Sequence, residues 1–94
     1  MIVLQIEHQV PDFQGWKRAF DSDPVNRKQS GVTRYRIFRK IDAPNLVILE
    51  LEFNGLPEAR ILLASLEKLW NKVEGSVIMK PQTRIVEIVE SKEY

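Results

Sequence analysis

Cysteine is absent from the 94 residues of this chain. Without a thiol, the protein can form no disulfide, zinc–thiolate site or iron–sulfur cluster, and it has no cysteine nucleophile. A lack of disulfides is typical of a reducing compartment. The N-terminal residues show no basic segment followed by an apolar stretch, so no signal peptide is predicted. A cytoplasmic protein is therefore expected.

Long apolar runs and an excess of charge are also missing. The longest uninterrupted aliphatic run is Leu46 to Leu49, far shorter than the ~20 residues of a membrane helix. Fourteen basic and thirteen acidic side chains leave a net charge of +1, whereas nucleic-acid-binding domains carry a basic surplus. We expect neither a membrane nor a nucleic-acid partner. The hydrophobic content of 44% and the length predict one folded domain over residues 1–94.

Glycine and histidine are scarce, and each scarcity excludes a class of site. The four glycines are scattered, so the chain has no phosphate-binding loop or dinucleotide motif. The single histidine, His8, supports no Ser-His-acid arrangement. Asp21 and Asp23 could form a metal pair, but one of them is better explained as the cap before Pro24, and no third ligand is evident. The sequence thus predicts no metal and no cofactor.

The first third of the chain predicts a strand, a helix and a short helical turn. Residues 2–10 alternate between apolar and polar, which predicts a half-buried strand with His8 on its apolar side. Asp12 follows as the N-cap of a helix, and its apolar stripe contains Phe13, Trp16 and Phe20. Asp23-Pro24 then opens a short helical turn, which Gly31 closes.

The rest of the chain predicts a hairpin, a helix and a last strand. Strands are expected over residues 32–41 and 46–53, joined by turn residues 42–45. One register keeps one side of the hairpin mostly apolar and pairs opposite charges on the other side. We therefore expect Arg39 to pair with Leu49 and Arg36 with Glu52. A helix then runs from Pro57 to Gly75, with the apolar stripe Ala59, Leu62, Leu63, Leu66, Leu69, Trp70 and Val73. A loop over residues 76–82 precedes a strand over residues 83–90, which is apolar on both sides and therefore expected to be buried on both.

The resulting order, β-α-β-β-α-β, predicts the ferredoxin-like α+β plan. In this plan a four-stranded antiparallel sheet carries two main helices on one face. The opposite face would mix apolar with charged side chains: Gln5, Glu7, Arg34, Arg36, Phe38, Ile48, Glu50 and Glu52. That mixture is too apolar for plain solvent surface and too charged for the core of a single chain. We therefore expect a homodimer in which two such faces pack together.

Two polar residues fall on the helix-covered side of the sheet. His8 is either a core histidine bonded to a carbonyl, or a general acid/base and ligand anchor at the mouth of a cleft. Burial would keep its ring neutral. Arg39 either leans out past the helix ends or holds an anionic group at the rim of a pocket. Both interpretations stay open for each residue.

Large aromatic side chains also gather on this side. They are most simply core residues, but wide rings that cannot all interlock leave a flat apolar slot for a planar ligand. The expected lining of that slot is Trp16, Phe20, Phe53, Leu66 and Trp70.

A run of residues in the first half of the chain resembles the pattern of a known protein superfamily. The pattern His8-x-Val10-x-Asp12-Phe13-x-x-Trp16-Lys17-x-x-Phe20-Asp21, followed by Arg27, Gly31-Val32 and Asp42-Ala43-Pro44-Asn45, resembles the dimeric α+β barrel superfamily. This superfamily includes antibiotic-biosynthesis-monooxygenase-like, haem-degrading, polyketide-cyclase-like and stress-responsive proteins. The resemblance implies that two sheets pack into a barrel across a dimer and that ligands bind between each sheet and its helices.

The resemblance also implies a function, which fold analogy alone does not establish. The first hypothesis is a cofactor-independent monooxygenase- or cyclase-like enzyme acting on a small planar aromatic or polyketide-like molecule. His8 would take or hold a phenolic proton, Tyr35 would donate a hydrogen bond, and Arg39 would steady the anion. Such a site needs a cavity of at least ~300 Å³ reached by His8. The alternatives are a non-catalytic module that binds a small molecule, or a plain dimeric scaffold.

Overall fold

The computed structural model describes residues 1–73 and 79–94 of the chain. Its elements follow the predicted order: β1 (Ile2–Gln9), α1 (Phe13–Asp21), β2 (Val32–Lys40), β3 (Ala43–Phe53), α2 (Leu56–Val73) and β4 (Met79–Glu87). The strands form one antiparallel sheet in the order β2-β3-β1-β4. The ferredoxin-like βαββαβ fold is therefore confirmed. Within the described residues, no helix is both long enough and apolar enough to span a bilayer.

Both helices cover the same face of the sheet. Alternate residues of β1 and β3 point toward them, because side chains along a strand alternate between the two faces. The core that results combines strand residues Leu4, Ile6, Val47, Leu49, Leu51 and Phe53 with helix residues Trp16, Phe20, Ala59 and Leu62. Helix α1 begins as the sequence predicts, since the Gly15 N–H donates to Oδ2 of the N-cap Asp12 at 2.8 Å.

The hairpin differs from the predicted register by two residues. Arg39 lies opposite Val47 rather than Leu49, and Arg36 lies opposite Glu50 rather than Glu52. The turn is shorter than expected, because Lys40 already pairs with Ala43 and the surplus residues of β3 are taken up by an irregularity beside Arg39. A shift of two keeps every side chain on its predicted face.

Two further segments depart from the prediction. Residues 23–31 form successive turns rather than a helical turn, because Asp23 (φ 54°) and Asn26 (φ 51°) adopt left-handed backbone conformations that interrupt a helix. Strand β4 runs over Met79–Glu87 instead of residues 83–90. Pro81 is tolerated there because β4 is an edge strand. The predicted end of α2 at Gly75 and loop residues 76–78 lie outside the described residues.

The face of the sheet opposite the helices, called the open face below, carries a polar ladder across all four strands. The Arg84 guanidinium donates to Gln5 at 2.7 Å, Gln5 donates to Glu50 at 2.8 Å, and Arg36 donates to Glu50 at 2.6 Å. Apolar side chains beside this ladder are uncovered: Phe38 is 41% exposed, Val86 36% and Ile88 38%. The prediction that the last strand is buried on both sides is therefore wrong for a single chain, because β4 is uncovered on the open face.

Candidate functional site

A cavity of about 250 Å³ lies between the sheet and the two helices. Strands β1 and β3 form its floor, α1 and α2 form two walls, and the turns after α1 form a third. The side chains around it are mostly apolar. The cavity is lined by Ile6, His8, Trp16, Ala19, Phe20, Ser22, Pro24, Val25, Arg27, Leu49, Leu51, Leu66, Leu69 and Trp70.

His8 brings polar nitrogen atoms into this apolar lining. Its position in β1 points it toward the helices, where only 2% of the residue is exposed. Burial lowers the pKa of His8 from 6.5 to about 4, and the backbone of Ile6 raises it only in part. The ring is therefore neutral at pH 7, as expected. Among the described residues, neither Nδ1 nor Nε2 finds a hydrogen-bond partner of ordinary geometry.

An aromatic row runs from His8 along α1. The ring of Trp16 lies 5.3 Å from the His8 ring, and the Phe20 ring lies 5.3 Å from Trp16 at an interplanar angle of 24°. The spacing of these two aromatics on α1 puts them on one helix face. They form an aromatic wall of the cavity.

Arg27 closes the far end of this row. Its guanidinium carbon lies 3.8 Å from the centre of the Phe20 ring, and its Nη1 donates to the Phe20 carbonyl at 2.7 Å. The Arg27 N–H also donates to Asp23 Oδ1 at 2.9 Å, which ties the residue to the turn. Sequence reasoning did not single out Arg27 as a site residue, because it lies in irregular turns where spacing says nothing about direction.

The structure brings together five of the eight predicted site residues. His8, Trp16, Phe20, Leu66 and Trp70 all line the cavity.

The other three predicted site residues lie outside the cavity lining. Arg39 donates from Nε to the Pro44 carbonyl at 2.9 Å, with its guanidinium 4.1 Å from the Phe13 ring. Tyr35 is 44% exposed and packs edge-on behind Phe20 at 5.0 Å. Phe53 is fully buried in the core. These positions put Tyr35 and Arg39 beyond direct contact with a molecule held inside the cavity.

No metal site is formed by the described residues, which contain no group of three or more His, Cys, Asp or Glu side chains able to hold an ion. Asp21 is paired with Lys17 at 2.7 Å, and Asp23 accepts from the Arg27 backbone. The arrangement can instead hold an uncharged ring system, accept or donate one hydrogen bond at His8, and present the guanidinium of Arg27, which is ion-paired with Asp23 at 3.3 Å.

Comparison with known proteins identifies relatives by fold only. No family model and no curated protein sequence matches the chain. Among solved structures, SnoaB, a cofactor-independent oxygenase from Streptomyces nogalater, matches with a TM-score of 0.75 at 11% identity, over 96% of this chain and 94% of that one. A candidate antibiotic biosynthesis monooxygenase from Bordetella bronchiseptica matches with a TM-score of 0.70 at 14% identity, over 95% and 98%.

A third similar structure is a dimeric ferredoxin-like protein from an uncultured marine organism. It matches with a TM-score of 0.64 at 14% identity, over 97% of each chain. These structural neighbours are thus antibiotic-biosynthesis-monooxygenase-like and dimeric ferredoxin-like proteins. At such low identity the similarity shows a shared fold over nearly the whole chain.

Proposed function

We propose that this protein binds a small planar molecule between its sheet and helices and acts on it without a cofactor, as a monooxygenase- or cyclase-like enzyme. The molecule would be mostly apolar and would carry one phenolic or enolic hydroxyl group. The observation that carries the proposal is His8, whose ring nitrogens lie in the wall of a mostly apolar cavity and have no hydrogen-bond partner of ordinary geometry among the described residues. A buried polar group without a partner is costly, and a ligand hydroxyl would supply that partner.

The cavity volume limits the size of the ligand. Its 250 Å³ falls below the ~300 Å³ expected from the sequence, which is the lower end of typical ligand pockets. It nevertheless exceeds the ~150 Å³ apolar cavity that is known to accept benzene. A bicyclic aromatic molecule lying against Trp16 and Phe20 is therefore the size class we propose. A plain scaffold with the space solidly filled by Trp16, Trp70 and Phe53 agrees less well with this volume.

His8 would act on the ligand hydroxyl. Both proposed reactions begin with loss of an acidic proton to give an electron-rich anion, which then reacts with dioxygen or with a carbonyl of the same molecule. In the oxygenase case the balance is a ring methylene plus O₂ giving a carbonyl plus water, so the substrate supplies the electrons. A neutral imidazole can accept the first proton, and the anion formed beside it would stabilise the imidazolium.

The test is turnover of bicyclic phenolic compounds, such as naphthols, in the presence of dioxygen. We expect His8→Gln to lower kcat by roughly 10²-fold or more, the usual contribution of a positioned acid/base. Gln9→Ala, an exposed neighbour on the same strand, is the matched control and should leave turnover unchanged. Full activity of His8→Gln would contradict the catalytic role of His8.

A second candidate function is binding without catalysis, and the lowered pKa of His8 favours it. With a pKa of about 4, His8 is a weak base in the free protein. Unassisted proton transfer to it from a phenol of pKa ~10 would be uphill by roughly 8 kcal/mol. In a binding module, His8 would only hydrogen-bond the ligand. Thermal stabilisation by these compounds without any product would support this alternative over the enzyme.

We also propose that two copies associate through their open faces. In support, a protein of the same fold is described as dimeric, and the uncovered apolar side chains flank a ladder in which Arg36 is paired with Glu50 and Arg84 is hydrogen-bonded to the neutral Gln5. A second copy fits such a surface, because the Arg36–Glu50 pair lowers the cost of removing those two charges from water. Covering Phe38, Val86 and Ile88 would remove apolar area from solvent.

A further inference from the structure

The Arg27 end of the cavity has a chemistry of its own. Arg27 is the one charged side chain among the described residues of the lining, and its side chain is only 16% exposed. We propose that Arg27 recognises an anionic group, so that the ligand is a planar aromatic acid with a hydroxyl at one end and a carboxylate at the other. This inference rests on the proposed function, since it names the ligand class of the same cavity.

The guanidinium is held in place but is not saturated. Its Nη1 donates to the Phe20 carbonyl at 2.7 Å and lies 3.3 Å from Asp23 Oδ1. Within residues 1–73 and 79–94, Nε and Nη2 have no protein acceptor, yet neither is among the buried atoms that lack a partner. The Arg27 side chain is 16% exposed, so a ligand or solvent can reach part of it. A planar guanidinium that is held in place and has free N–H donors can form two parallel hydrogen bonds to a carboxylate.

The order of the polar groups along the aromatic row suits a ligand with two polar ends. His8 and Arg27 stand at the two ends of the aromatic row, with Trp16 and Phe20 between them. A ring system lying along this row would place its hydroxyl beside His8 and its far end beside Arg27. The apolar stretch between the ends would exclude a chain of polar groups such as a sugar.

A second cleft beside the cavity adds to the positive charge. This outer cleft of about 320 Å³ shares Pro24, Val25 and Leu69 with the cavity lining and is also bordered by Lys68 and Lys72. The two lysines are one helical turn apart on α2, so they face the same direction. Positive charge at the outer cleft would attract an anionic molecule toward the cavity.

The experiment compares three probes by titration calorimetry. They are a hydroxynaphthoic acid with its two groups at opposite ends, the naphthol that lacks the carboxylate, and the naphthoic acid that lacks the hydroxyl. We expect the hydroxy acid to bind the wild-type protein roughly 10-fold or more tightly than the naphthol, the range of one charge-assisted hydrogen bond. Raised salt should weaken the binding of the two acids and leave the binding of the naphthol unchanged.

Variants then locate the effect. Arg27→Gln should reduce affinity for the hydroxy acid to that of the naphthol and leave naphthol binding unchanged. Arg27→Lys should retain part of the preference, because it keeps the charge but loses the fork. Arg60→Gln, an exposed arginine of α2 outside both clefts, should change nothing. Circular dichroism checks that each variant is folded.

The outcomes separate this inference from the proposed function. If the naphthol binds in a His8-dependent manner but the acid binds no tighter, recognition by Arg27 is wrong and the proposed function stands. If Arg27→Gln weakens the binding of the hydroxy acid and of the naphthol equally, recognition by Arg27 is also wrong. Arg27 then has a structural role in the turns. If none of the three probes binds the wild-type protein, both the function and the inference are overturned.

Discussion

At the scale of single residues, His8 is the side chain whose environment fits its chemistry least. A ring with two polar nitrogens is buried to 2% exposure without a hydrogen-bond partner of ordinary geometry among the described residues. Such a group typically costs ~1–3 kcal/mol of stability. A cost of this kind at the wall of a cavity is typical of a site where function outweighs stability.

The same residue predicts a pH dependence of stability. The pKa of His8 is lowered to about 4 in the folded protein and is ~6.5 in the unfolded chain. The unfolded state therefore binds the proton first as pH falls, so stability is full above pH ~6.5 and is lost progressively toward pH ~4. Between pH 7 and 5 we expect a loss of about 2 kcal/mol in the free energy of unfolding, measured by urea denaturation.

The control for this prediction is His8→Gln, which has no titrating group at the position. Its free energy of unfolding should vary less between pH 7 and 5 than that of the wild type, by about the same 2 kcal/mol. Parallel pH profiles of the two proteins would show that another group causes the dependence.

At the scale of elements, the turns over residues 22–31 contribute most to the site. They follow α1 directly and supply four lining residues, Ser22, Pro24, Val25 and Arg27. Two left-handed residues and a web of short hydrogen bonds hold them: the Asn26 N–H donates to the Asp23 carbonyl at 3.1 Å, and the Val32 N–H donates to the Arg27 carbonyl at 3.0 Å. Gly31 ends the segment with φ 98°.

Gly31 gives a prediction about this segment. A Cβ at Gly31 would meet Glu58 Cβ and Cγ at 3.2 Å, and its positive φ disfavours any other residue. We expect Gly31→Ala to lower the free energy of unfolding by roughly 1–2 kcal/mol. At Gly15 in α1 a Cβ would meet Asp12 Oδ2 at 3.2 Å, but the helical backbone there suits alanine, so we expect Gly15→Ala to lower stability less than Gly31→Ala does. Urea midpoints of the two variants measure this difference, and equal midpoints would contradict it.

At the scale of the whole molecule, the size of the chain favours association. A domain of 94 residues buries only about 60–65% of its unfolded surface when alone. One face of the sheet packs on the helices, while the open face leaves apolar side chains in solvent. A second copy would cover that face, and the two sheets would then pack face to face.

The proposed dimer is tested by sedimentation equilibrium. We expect the wild-type protein to be a dimer and Phe38→Glu combined with Val86→Glu to be a folded monomer, because charges would be buried without partners at the interface. Ile61→Glu is the matched control: Ile61 is apolar and 69% exposed, but it lies on α2, away from the open face. A monomeric wild type, or a dimeric double variant, would refute this interface.

Much of the fold can be predicted from local patterns. Element order, the N-cap at Asp12 and the side of each strand residue follow from spacing alone, because a helix repeats every 3.6 residues and a strand every two. Even the hairpin, whose register was wrong by two, has its side chains on the predicted faces. Strand ends were predicted less well, since Pro81 lies in β4 although proline usually interrupts a strand.

Local pattern predicts only part of the site, and the packing of the elements decides the rest. That His8, Trp16 and Trp70 face the same space follows from their periodic positions in β1, α1 and α2. Whether a residue on the correct side reaches the cavity depends on how far apart those elements pack, and here Arg27 reaches it while Tyr35 and Arg39 do not. Periodicity assigns a side chain to a face, but only the distances between packed elements assign it to a cavity.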